Sequence, residues 1–164
     1  MKKNFLIFYL LIFCLPVYSQ VNNSVRIDTN SYRSSINENR LEPAWVYIGE
    51  AKRAISNGDT SYALYLMNKT LMYYPDNADA HYYLGLIYET EAGDPAQQGG
   101  AASYRLAVEE YKKAIQLNAN FNVPSYKLDS YFNLLHIYEK LIDEENYSAT
   151  EKEILNIAET SPNR

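Results

Sequence analysis

Residues 78–88, A-D-A-H-Y-Y-L-G-L-I-Y, constrain the fold more than any other stretch of the chain. Apolar positions recur there at helical spacing, and one glycine, Gly85, stands in the middle. A glycine inside a helix costs about 1 kcal/mol against alanine. The expected offset is a neighbouring helix packed so closely that a Cβ would collide with it. Composition points the same way: 47% hydrophobic residues argue against disorder, and Gly and Pro are sparse at six each. Seventeen tyrosines bring large apolar bodies with a polar tip, which suit half-buried positions on packed helices. At 164 residues the chain can hold one domain with a real core, not two large ones.

The first residues form a separate pattern. Lys2 and Lys3 precede an uninterrupted apolar run over 5–15, Pro16 breaks it, and Val17-Tyr18-Ser19 precede a cut before Gln20. This predicts a secretory signal peptide over 1–19 and an exported protein: periplasmic, envelope-associated or secreted. A retained anchor is disfavoured, because about twenty apolar residues are needed to span a bilayer. A lipid-anchored form would use Cys14, but Phe13 is bulky where lipoprotein signals want a small residue. Cys14 is the only cysteine, so the mature chain would have no disulfide, thiol nucleophile or thiolate metal site. The net charge of −5 becomes more negative once Lys2 and Lys3 leave. That balance argues against nucleic acid and anionic membrane as partners.

Residues 20–42 are Asn/Ser-rich and aperiodic, and are expected to form a flexible leader. Pro43 suits the first position of a helix. Helical periodicity then predicts six helices, at about 43–56, 60–74, 78–91, 102–117, 126–141 and 148–159. Asn57-Gly58-Asp59 stops the first and caps the second. Pro75-Asp76-Asn77 separates the second from the third. Residues 92–101, A-G-D-P-A-Q-Q-G-G-A, read as the low-order loop of the domain, and 143–147 as an acidic turn.

Superposing the helix pairs gives a shared frame of about 34 residues. His81, Leu84-Gly85 and Tyr88 occupy first-helix positions; Ala107, Tyr111 and Ala114 occupy second-helix positions. The first pair repeats this with Tyr47, Ala51, Ala54, Ala63, Met67 and Pro75, and the third with Tyr131, Leu134-Leu135 and Tyr138. Over about 43–159 the chain resembles the tetratricopeptide repeat (TPR) family. The departures are a proline position filled by Ala119, a poorly matching last helix and the 92–101 insertion. The resemblance implies an all-α fold, a TPR-type α-solenoid of three antiparallel helix pairs. Its domain would cover 43–160, with repeats at 44–77, 78–120 and 125–160 and a tail at 161–164. The last helix would act as a polar cap.

The resemblance also implies a concave groove lined by the first helix of each pair. By position, that groove would contain Trp45, Ile48, Lys52 and Ile55, then Asp79, Tyr82, Leu86 and Glu89, then Asp129, Phe132, His136, Glu139 and Lys140. Such a mixture suits a peptide or protein partner. Ile48 stands where the carboxylate-clamp subclass has lysine, and Lys52 where it has asparagine, which argues against that specificity. His81 falls at a packing position. His136 lacks the further ligands of a zinc site, and Gly99-Gly100 lacks the lysine and hydroxyl residue of a phosphate loop. No cofactor, metal or catalytic constellation is therefore expected, and the predicted role is a non-enzymatic interaction module. Two alternatives remain: a homo-oligomer stacking through its terminal repeat, and an accessory domain for carbohydrate or peptidoglycan.

Overall fold

A computed structural model describes residues 41–117 and 125–160, all within one compact unit, Ile36–Arg164. The predicted signal over 1–19, most of the leader, the turn at 118–124 and the tail at 161–164 lie outside the described residues. The described residues form helices and connections, with no strand. The helices are α1 (Ala44–Ser56), α2 (Thr60–Tyr73), α3 (Ala78–Ala92), α4 (Gly100–Gln116), α5 (Ser125–Lys140) and α6 (Glu144–Thr160).

Local chemistry explains where these helices begin and end. Pro43 lies one residue before α1 rather than inside it, because its ψ of 148° is extended. Asn77 caps α3 by accepting from the Ala80 N–H at 2.8 Å. At the end of α1, Gly58 adopts a φ of 78°, its N–H reaching the Ile55 carbonyl while that of Asp59 reaches Ala54. This is a Schellman closure, which favours glycine at its left-handed position. Asp59 then caps α2 through the Tyr62 N–H at 3.0 Å.

The same device recurs at the end of α5. Ile142 donates to the Glu139 carbonyl and Asp143 to that of Tyr138, with a φ of 56° at Ile142. Asp143 caps α6 through the Asn146 N–H, and hydrogen bonds from the Asn146 side chain and then from this N–H hold its carboxyl below the usual range. Here the structure corrects the sequence expectation. Residues 144–147 are the first turn of α6, not an acidic turn, since Glu144 and Glu145 suit the positive end of the helix dipole.

Successive helices pack on one another in chain order, and α3 also touches α1 and α5. Small residues sit at the close approaches: Ala51, Ala54, Ala63, Ala107 and Ala114 are buried, and large Tyr47, Met67 and Tyr111 fill the spaces between. Gly85 lies against α4, where a Cβ would come within 2.7 Å of the Tyr111 ring. His81 is buried as well, bridging the Glu110 carboxylate at 2.7 Å and the Pro75 carbonyl at 3.2 Å. By contrast α6 buries only Thr150 among its residues, and Leu155 is 56% exposed. The charged residues Glu151, Lys152, Glu153 and Glu159 face solvent.

The loop between α3 and α4 spans residues 93–99, shorter at both ends than its composition suggests. It is a bonded turn rather than a low-order segment. Asp94 accepts from Ala96 through its side chain and from Gln97 through its carbonyl, and the Tyr104 hydroxyl donates to the Gly93 carbonyl at 2.9 Å.

Candidate functional site

The residues assigned to the groove by position come from α1, α3 and α5, and the structure divides them. Trp45 at the start of α1 is 71% exposed and Phe132 on α5 is 51% exposed. Ile48 and Asp79 are buried, at 7% and 3% exposure, and present no surface to a partner. Each lies on the helix face turned toward its neighbours, which positional matching alone does not reveal. Lys52 is exposed, with its Nζ 6.0 Å from the Tyr83 ring centroid. Ile55, Tyr82, Leu86, Glu89 and Asp129 are half-buried, while His136, Glu139 and Lys140 are exposed.

Tyr82 is the centre of a tyrosine shelf between α3 and α5. Its ring stacks on Tyr126 at 4.4 Å with an interplanar angle of 8°, and meets Tyr83 edge-on at 5.2 Å. The Tyr83 and Tyr126 hydroxyls share a hydrogen bond of 2.6 Å. Below this shelf Glu89 ties three helices together. One carboxylate oxygen accepts from the Tyr111 hydroxyl of α4 at 2.8 Å, and the other meets His136 Nδ1 of α5 at 2.8 Å. His136 is thus a strut between helices, oriented by a carboxylate.

Burial pushes the Tyr82 phenol from 10.0 up to about 12, with the Asp129 and Tyr126 charges adding to the effect. Burial also raises Tyr83, whose hydrogen bond to Tyr126 adds to it, and Tyr111, where the Glu89 charge contributes. These phenols remain protonated at neutral pH and present flat apolar faces, and the Tyr111 hydroxyl donates to Glu89. The linkage sign follows. Folded pKa values above the unfolded one contribute stability in full below about pH 10, lost as pH rises through the folded value. Urea midpoints should therefore fall as the pH rises from about 10 to about 12, and less steeply for Tyr82→Phe. Equal slopes in the two proteins would show that the shelf does not bind its protons this way.

Sequence reasoning missed Tyr83, Tyr126 and Tyr111 as parts of this site. Adjacent Tyr82-Tyr83 was a usable signal, but Tyr126 lies 43 residues beyond Tyr83 and meets it only through the α3–α5 contact. A further cleft, of about 750 Å³, opens where the 93–99 loop meets the end of α5. It brings His136, Glu139 and Lys140 together with Asp94 and Arg105, which the groove positions do not include.

Among the described residues no cluster of His, Cys, Asp and Glu could hold a metal ion, and no helix is long and apolar enough to cross a membrane. No protein-family model matches the chain, and neither a curated protein nor a solved structure does.

Proposed function

We propose that this chain is an exported, non-enzymatic TPR-type module that holds a peptide or protein partner along the α1–α3–α5 face. The observation that carries this proposal is the placement of exposed Trp45 and Phe132 on the two helices that flank α3, with the tyrosine shelf on α3 itself. Rigid aromatic side chains bury much area at little entropic cost, so they tend to dominate interface energy. The repeat interpretation draws support from two turns of one design, Gly58-Asp59 and Ile142-Asp143, each closing one helix and capping the next. The small residues at the helix contacts support it too.

The test is crosslinking of the full chain in its native host, followed by identification of the captured partners. With Trp45, Tyr82 and Phe132 all changed to alanine, the partner should be lost while the circular dichroism spectrum stays helical. Capture of the same partners by the triple variant would remove the groove from consideration.

A second interpretation rests on α6, which buries a single residue and leaves Leu155 open. Two copies could stack through that helix as a closed dimer. Light scattering on the mature chain separates the two: a monomer mass that is independent of concentration rules out self-assembly.

A further inference from the structure

The cleft beside the 93–99 loop has walls from three places in the chain: Asp94, Pro95 and Ala96 in the loop, Ala101 and Arg105 on α4, and the end of α5 through Ile142. At about 750 Å³ it falls within the size range of ligand sites. Its charges are of both signs and are not used on one another. Among the described residues Arg105, Lys140 and Glu139 make no ion pair, although all three line the same space. Asp94 spends one carboxylate oxygen on the Ala96 N–H of its own turn. Pro95, Ala96, Leu141 and Ile142 supply apolar surface between these charges.

Ile142 adds an independent observation. It holds a φ of 56°, a conformation that is a genuine outlier for a β-branched residue, at the position where the matching turn has Gly58. The residue is 83% exposed, so burial does not offset the strain. The backbone of Ile142 closes α5, a task glycine would do without strain, so the choice of a branched side chain there is explained when that side chain serves a contact.

We infer that this cleft is a second binding site, for a short peptide segment in which an aliphatic residue stands between an acidic and a basic one. The acidic group would lie against Arg105 and Lys140, the basic group against Glu139 and Asp94, and the aliphatic side chain against Ile142. A purely acidic or purely basic ligand would meet repulsion from half of the wall. The site shares Glu139 and Lys140 with the groove positions at the end of α5, whereas Arg105, Ile142 and the loop lie outside them.

The test is an amide-detected NMR titration of the full chain with an octapeptide of alternating Glu, Leu and Lys. All-Glu/Leu and all-Lys/Leu peptides and inorganic phosphate serve as comparison probes. The mixed-charge peptide should shift resonances at 94–96, Arg105 and 139–142 and bind saturably. Reversing both Arg105→Glu and Lys140→Glu should weaken it about tenfold, as two exposed ion pairs are lost. Ile142→Gly should raise the melting temperature and at the same time weaken the peptide. Trp45→Ala should leave this binding unchanged even if the groove partner is lost, so the two sites fail separately. Absence of saturation, equal shifts with phosphate or with a single-sign peptide, or an Ile142→Gly protein that binds as before would each overturn the proposal.

Discussion

Gly85→Leu is expected to leave the chain unfolded, and Gly85→Ala to lower stability by about 1–2 kcal/mol despite alanine's better helix propensity. The reason is a single close approach. A Cβ at position 85 meets three atoms of the Tyr111 ring, two at 2.7 Å and one at 2.9 Å. The ring has little room to retreat, because it is fully buried and its hydroxyl is held by Glu89 at 2.8 Å. The expected overpacking cost therefore exceeds the gain of about 1 kcal/mol from removing glycine. Urea denaturation decides the matter, and the background reverses the sign. In a Tyr111→Ala protein, where the ring is absent, Gly85→Ala should become stabilising. A stabilising Gly85→Ala in the native background would show that α3 and α4 are not in such close contact.

Tyr111→Ala should cost about 3–5 kcal/mol, the range for deleting a fully buried aromatic ring. Tyr111→Phe should cost less, about 1.5–3 kcal/mol, since it keeps the ring and removes only a hydrogen bond to a carboxylate. The difference separates packing from polar bonding at one residue. It also reaches the shelf, because among the described residues Glu89 would then keep only its contact with His136, at 2.8 Å. If Tyr111→Phe were as damaging as Tyr111→Ala, the hydroxyl and not the ring would hold α3, α4 and α5 together.

The division between what could be read in advance and what could not is clear in particular residues. Gly85 within an apolar helical period required a close neighbour, and Tyr111 is that neighbour. Asn57-Gly58-Asp59 contains both a left-handed closure and a cap, and both are present. Ile142-Asp143 does the same work without the glycine that would announce it, so α6 begins at Glu144, earlier than the expected 148. Side-chain direction was less legible. Trp45 and Ile48 are three apart on one helix, yet one is exposed and the other buried, because the contact with neighbouring helices decides which part of a stripe is covered.

By itself the sequence determined the helical class, the approximate limits of the helices, and the small and large residues that let them approach, because periodicity and capping are local properties. Only the tertiary structure decided what those helices bring together. Tyr82 meets Tyr126, and Glu89 joins Tyr111 to His136, across long separations along the chain. The 93–99 loop likewise meets the end of α5 only through packing, and so the cleft containing Arg105 and Ile142 has no signature in the sequence. Distances along the chain fix elements; distances through space, set by which helix faces are buried, fix sites.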